Sequence, residues 1–513
     1  LPFPGGFHHF FPAEHKLHTL SQMSRRPHSA CHIVVSWFVT SWYLFVVSGY
    51  LPHFNYRREN SMTTGRSLSR RDFLRTTAFG AMGLTLAACA APGAVPSTET
   101  TGSGDAAPAA EKVTVRFHAR IGQQEDTLFD MMMPKFMEEN PNIEIVRESF
   151  PGAEFQTKVS TMLAGGTLGD AMWSALGGAT IYFQWAQGTI APIDELAQSA
   201  GVDLGEWYEG CINAITMEGN LLGLPFKAHP GWAVTYYNAS AFEEVGLDVP
   251  TADWTFDDQI EIAKALHKTE ADRVTRYGYL PGALENAWKA LLCVTRANGG
   301  QLLNEDGTQF LLMEDPARQA VQYTWDMFNV HNVAPKPDQI LGTVNEMWIA
   351  GALGMNQAGT FRSVADAAIG DTFEWMAVAN PKGSAGVGGS DYEVDAFCVT
   401  SASENPAEAF KWVQYLCNQE SGVQLGIIGG TIGGRPDVYG DERLLQFPFR
   451  QVFKELMDNA QASRVVGNWR QAEAETVLQQ MCQPLWAGTE EPSDAYMESI
   501  AVAVQDVLDK PRP

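Results

Sequence analysis

Apolar positions in this chain switch repeatedly between two periods. The stretch "VTVRF" (residues 113–117) alternates as a strand does, whereas Leu128, Phe129, Met132 and Phe136 fall on one helical face of residues 125–140. Pro134 inside that stretch predicts a kink. "NPN" turns the chain into a second strand, "IEIV" (143–146). A helix over 153–164 is stopped by Gly165-Gly166, a third strand spans "DAMWSAL" (170–176), and another helix ends near Gly188. The same habit continues beyond. "WAVTYYN" (232–238), "GALGMNQAG" (351–359) and "EVDAFCV" (393–399) read as strands. Thr255 opens a helix with Asp258 three residues on, in the manner of a capping box. "GGQLLNEDGTQFLL" (299–312) reads as a hairpin turning at Asp306-Gly307. Asp315-Pro316 caps a helix running to Asn329, and "NPAEAFKWVQYL" (405–416) is amphipathic. Strands alternating with helices predict an α/β fold with mostly parallel sheets flanked by helices. No internal repeat of solenoid length is present.

Upstream the pattern is of another kind. "SRRDFLRTTAFGAMGLTLAAC" (69–89) sets an arginine pair, Arg70 and Arg71, before a short apolar run that closes on Leu86-Ala87-Ala88-Cys89. A charged start, an apolar middle and small residues before a cut site define an export signal, and the run is too short to span a bilayer. Its opening resembles a twin-arginine signal and its close a lipobox, so Cys89 is expected to carry lipid as the first mature residue. Met62 is a natural start for that signal, which gives it residues 62–89. Residues 1–61 are rich in His, Phe and Trp, begin with Leu, and contain an apolar stretch (32–51) long enough by itself to span a membrane. They are read as a non-native upstream extension and set aside. Residues 90–110 are Pro, Ser, Thr and Gly-rich, cannot bury a core, and read as a flexible tether.

Charge changes once the leader is set aside. The chain of 513 residues has 35 basic and 60 acidic side chains; the first 88 hold nine and three of these, which leaves 26 against 57, a net charge of −31. Such an acidic body excludes nucleic acid as a partner, since that affinity comes from Lys and Arg on phosphates. The 425 residues from Cys89 onward exceed one compact core and predict two lobes. Beyond Cys31 and Cys89, the five cysteines Cys211, Cys293, Cys398, Cys417 and Cys482 are scattered without a CxxC pair. Zinc spacing is absent, and they read as small apolar core residues.

Catalytic signatures are missing: there is no GxSxG, HExxH or P-loop. "GGTIGG" (429–434) reads as a loop, and "NEDGT" as a turn, because the later acidic ligands of a calcium loop are out of position. After Cys89 only His118, His229, His267 and His331 remain, too dispersed to suggest a histidine metal site, and no cofactor is expected. Asp257-Asp258 sit in a helix's first turn, where carboxylates complement the dipole, rather than forming a hydrolytic pair. The tryptophans say more. Trp173, Trp232, Trp254, Trp375 and Trp469 fall where strands end or loops begin. In open α/β sheets that is where ligands bind, and flat aromatic faces suit sugar rings.

Seven blocks then carry a resemblance: "FMEENPNIEIV", "GNLLGLPFKA", "TYYNASAFEEVGL", "WTFDDQIEIAKAL", "ANGGQLLNEDGTQFLLMEDPARQAVQYTWDMF", "GALGMNQAG" and "NPAEAFKWVQYLCNQESG". From about Val113 to the end, the chain resembles the extracellular solute-binding proteins of ABC importers, the family-1, maltose-binding-like class. The resemblance implies a two-lobe periplasmic-binding-protein-like α/β fold joined by hinge strands, with residues 111–232 and 377–440 in one lobe and 233–376 and 441–513 in the other. It implies a ligand in the cleft between the lobes and closure by a hinge motion. Matching cleft positions are His118, Arg120, Trp173, Ser174, Lys227, His229 and Trp232 from the first lobe. Trp254, Trp288, Asn356, Gln357 and Arg362 come from the second, with Gly389, Ser390 and Asp391 before the returning strand. The implied function is a non-enzymatic, monomeric sugar receptor, lipid-anchored on the outer face of the cytoplasmic membrane, that delivers its solute to ABC permease subunits. Two other readings stay open: a receptor for a polyamine or phosphate ester, and a lipid-tethered glycoside hydrolase, which needs two cleft carboxylates roughly 5 to 10 Å apart.

Overall fold

A computed structural model of the chain describes residues 112–176, 180–460 and 468–512. Arg70, Arg71, Cys89, the tether and the first 61 residues lie outside the described residues. Among the described residues, twelve strands occur in chain order: β1 Val113–Arg120, β2 Ile143–Phe150, β3 Ala171–Ala175, β4 Thr216–Met217, β5 Asn220–Leu221, β6 Leu224–His229, β7 Val234–Asn238, β8 Lys268–Glu270, β9 Arg273–Leu280, β10 Leu353–Ala358, β11 Trp375–Ala379 and β12 Glu393–Val399. They form two five-stranded sheets, ordered β2-β1-β3-β12-β6 and β11-β7-β10-β9-β8, and a small β4-β5 ribbon. Each larger sheet is the centre of one lobe, flanked by helices.

Mostly parallel sheets were the expectation; both are mixed. The β1–β2 and β1–β3 pairs are parallel, but β12 runs antiparallel to β3 and β6. In the second sheet only β9 and β10 are parallel. The reason is how the chain passes between sheets. β6 ends at His229 and β7 begins at Val234, while β11 ends at Ala379 and β12 begins at Glu393. A strand that enters a sheet from the junction must run away from it. Strands β3 and β10, reached through helices, run toward it, as do β1 and β9, which are parallel to them. The carboxyl ends of those strands therefore gather at the junction, which is where open α/β sheets bind ligands.

Other boundaries need revision. The expected break at 376/377 falls inside β11, which pairs with β7 along its whole length. Helix Glu442–Leu445 packs on helix Gln419–Ile427 and helix Pro448–Met457 packs on β11, so the later crossing lies a few residues past Gly440. The expected hairpin over 299–312 is only one bridge, Leu303 with Phe310, around an Asx-type turn in which Asp306 accepts from the Thr308 backbone. Helix Asp315–Asn329 is preceded by Glu314 as its cap, with Pro316 in the first turn.

The core follows the helical and strand faces read from the sequence. Phe117 of β1 meets Phe129, Phe397 and Trp412 edge to face, which ties both flanking helices to the sheet. All five described cysteines are free and buried. Burial pushes their thiols up, so they stay protonated and inert.

Candidate functional site

At the junction end of the first sheet, β1 finishes at Arg120, β6 at His229, and β12 begins at Glu393. The first turn of helix Gln123–Glu139 adds Glu125, whose carboxylate suits the dipole. Lys227 Nζ donates to Glu125 Oε1 at 2.7 Å and lies 2.8 Å from Asp395 Oδ2. Arg120 Nη2 is 3.3 Å from Glu125 and 3.9 Å from Asp395. Burial opposes ionisation of both carboxyls, but Lys227 and Arg120 outweigh it; Glu125 is lowered and Asp395 is held at about 2. Next to this group, Glu393 binds Lys289 from helix Ala287–Ala297, and His229 Nε2 lies 3.7 Å from the same carboxylate. That ion pair links β12 of one sheet to a helix packed with the other. Burial drives the His229 pKa down to about 3 and keeps the ring neutral.

The passage between sheets is bonded at one residue, through both its backbone N–H and its carbonyl. Trp232 N donates to Asp391 Oδ2 at 3.1 Å, and Trp232 O accepts from Gln357 Nε2 at 3.2 Å and Asn380 Nδ2 at 2.8 Å. Gly231 precedes it with φ +46°, and a Cβ there would strike the Asp391 carboxylate. Trp232, Gln357 and Asp391 thus hold chain to chain where the strands pass between the sheets.

Beyond Glu125, a cavity of about 310 Å³ is lined by Gln124, Ser363, Asp366, Gly426, Phe447 and Arg450. It joins the start of helix Gln123–Glu139 to the turn Thr360–Ala365 that follows β10. In that turn Phe361 stands 44% exposed, its ring 5.7 Å from Trp232 and 5.4 Å from the Arg362 guanidinium. It is the aromatic residue the sequence reading missed. The available signal was its place three residues past the end of β10, the same rule that selected the tryptophans. Glu125, Lys289, Glu393 and Asp395 were missed too, because a charge in a strand or a helix gives no sequence sign of its partner. A second hollow of about 550 Å³, beside Arg296, Gln301 and Ser390, contains none of these strand ends.

Of the expected cleft residues, Arg120, Lys227 and His229 come together. Trp173 lies under the Arg120 guanidinium, 4.8 Å away, with its edge on Phe155. Its ring is covered by protein. Others are packed into scaffold and require correction. Trp288 is 1% exposed and stacked on Phe310, and the Trp254 indole donates to Ala379 O at 2.8 Å inside a small core with Tyr237 and Phe242. His118 accepts from Gly169 N at 2.7 Å through Nε2, and its Nδ1 lies 3.2 Å from Glu148, so the ring is buried along the sheet. Ser174 donates to Gln184, Asn356 donates to Leu280 O, and Arg362 is tied to Glu285 and Asn345. Gly389 packs against the Cys293 carbonyl, and Ser390 O accepts from Arg296. The reason is common to these: a polar or aromatic residue at a strand end can point along the sheet into the core as readily as out of it.

No group of three or more His, Cys, Asp or Glu able to hold a metal occurs among the described residues, and no helix there is long and apolar enough to cross a membrane.

A sequence model described as bacterial extracellular solute-binding protein matches residues 122–422. A binding protein from Brucella abortus (strain 2308) is 23% identical over 383 residues, 74% of this chain and 90% of that protein. Among solved structures, an ABC substrate-binding protein from Listeria monocytogenes in complex with cycloalternan is 19% identical, covers 77% of this chain and 99% of its own, and superposes with a TM-score of 0.66. An ABC transporter solute-binding protein from Thermotoga lettingae bound with α-D-tagatose is 21% identical, with 77% and 99% coverage and a TM-score of 0.66. The sugar-binding protein MalE of Xanthomonas citri is 17% identical, with 77% and 97% coverage and a TM-score of 0.65. These likenesses establish the two-lobe fold.

Proposed function

We propose that this chain, which belongs to the bacterial extracellular solute-binding protein family, captures a sugar or oligosaccharide between its lobes and presents it to the membrane subunits of an ABC importer. On this reading it acts as a monomer without catalysis, is exported through Arg70-Arg71 and is held at the membrane by lipid on Cys89. The observation that carries the solute class is the exposed Phe361 ring at the junction end of β10, beside a cavity and a set of hydrogen-bonding side chains from the other sheet. An aromatic face for the C–H side of a pyranose and donors and acceptors for its hydroxyls are what sugar recognition needs. The sugars bound by the structural neighbours point the same way. The paired carboxylates argue against hydrolysis. A glycosidase acid needs a raised pKa, whereas Glu125 and Asp395 are both lowered.

Calorimetric titration against a sugar panel tests this. At least one sugar should bind, and Phe361→Ala should weaken it by a factor of about 10 to 100, the value of a buried aromatic anchor. The same variant should keep its melting temperature, because the ring is exposed. A panel with no binder, or a Phe361→Ala protein that binds undiminished, would reject the sugar site.

A further inference from the structure

Resting on that reading, we infer that the saccharide carries an acidic group, a carboxylate or a phosphate ester, and that Arg450 in the cavity wall receives it. The ground is an enclosed charge without a partner. Arg450 is 5% exposed and lines the cavity. Its Nη2 donates to the carbonyls of Gly426 and Gly430 at 3.0 and 3.3 Å. Those bonds close the carboxyl end of helix Gln419–Ile427 and account for one nitrogen of three. Nε is buried without a hydrogen-bond partner, and Nη1 has none either among the described residues. The groups that act on the guanidinium electrostatically are two neutral phenols, Tyr236 and Tyr439; burial lowers its pKa with no carboxylate to oppose it. Arginine stays charged through such a shift.

The surrounding wall does not supply the missing anion. Arg362 acts on the same Tyr236 phenol, and it is already tied to Glu285. Two enclosed guanidiniums thus stand against one carboxylate. Asp366 is the single carboxylate among the residues lining the cavity, and it is exposed, its Oδ1 accepting from the Trp375 indole. Water and salt screen an exposed charge far more than an enclosed one, so Arg450 decides the sign that the cavity favours. A buried cation left alone is costly. An acidic oxygen brought against it restores the pair, and the planar guanidinium suits carboxylate and phosphate alike. The rest of the wall fits a sugar ring. Phe447, 36% exposed, and Phe449 line the same cavity with their rings 6.0 Å apart, an apolar surface for C–H faces. Asp366 and Gln124 remain for hydroxyls.

The test is a matched panel run by calorimetry at about 0.15 M salt. It sets glucose, galactose and mannose and their β-linked trimers against the corresponding uronates and against glucose 6-phosphate, so that the two acidic groups are read separately. The acidic member of a pair should bind at least about tenfold more tightly than its neutral parent, roughly one hydrogen bond to a charged group. Arg450→Gln should erase that preference, weakening the acidic ligand about 10- to 100-fold and the neutral parent much less. Because Arg450 also holds two carbonyls, Gln124→Glu is the second variant. It leaves Arg450 in place, sits in the first turn of helix Gln123–Glu139 where a carboxylate suits the dipole, and adds an anion to the same cavity. It too should erase the preference. A neutral parent that binds as tightly as its acid overturns the inference and leaves the sugar-receptor reading standing. So does a preference that survives Arg450→Gln, or that survives Gln124→Glu should the arginine variant not fold. Silence from neutral and acidic saccharides alike overturns both.

Discussion

His229, His118 and His267 share one property: burial lowers the pKa of each ring, that of His229 to about 3. The unfolded chain titrates near 6.5, so it takes up protons before the folded chain does. The stabilisation is therefore present above about pH 6.5 and is lost as pH falls toward the folded values. Guanidinium unfolding at pH 7.5, 6 and 5 should show stability declining with pH, and His229→Gln should decline less steeply than the parent. An equal slope in that variant would show that His229 does not stay neutral in the folded state. The same residue marks how far the site was legible. Arg120, Lys227 and His229 were expected from the family resemblance alone, and the structure brings them together at the ends of β1 and β6. Trp254 and Trp288 were expected there too, yet one bonds Ala379 O and the other stacks on Phe310. Position along the chain locates a residue at the junction; only the packing around it decides which way the ring turns.

Among the elements, helix Phe256–Leu266 shows local chemistry at its clearest. Thr255 Oγ1 accepts from Asp258 N at 3.3 Å, and Asp258 Oδ2 accepts from Thr255 N at 2.8 Å. Thr255→Ala and Asp258→Ala should each cost about 1 kcal/mol, and the double variant should cost less than the two added, because both remove one reciprocal motif. Thermal melts of the three proteins check this; strict additivity would mean that the two bonds act separately. Such caps, glycine stops and periodic faces are why the strands β1, β10 and β12 and the helix Pro406–Leu416 were readable in advance. Strand direction was not, because it depends on which strands are entered from the passage between the sheets, as β7 and β12 are. The 299–312 segment failed for another reason. Its Asp306 and Asn304 side chains satisfy the turn backbone locally, so little ladder forms.

For the whole molecule, two lobes joined at Trp232 and at residues 380–392 would place the proposed solute where relative motion of the lobes could close over it. The anchoring proposed above would confine that motion to a membrane surface. Replacing Cys89 by Ala should leave a longer, unlipidated precursor that no longer sediments with membranes. Palmitate labelling and fractionation of the two proteins check it, and a labelled, membrane-bound variant would count against Cys89 as the anchor. One feature of the interior reaches into practice. Since all five described thiols are buried and protonated, a version of the protein starting after Cys89 offers a maleimide dye no natural target there. A cysteine put in place of Ser363 at the cavity wall would then be the single point of attachment, and if the proposed solute binds there the protein would become an optical gauge of that solute's concentration.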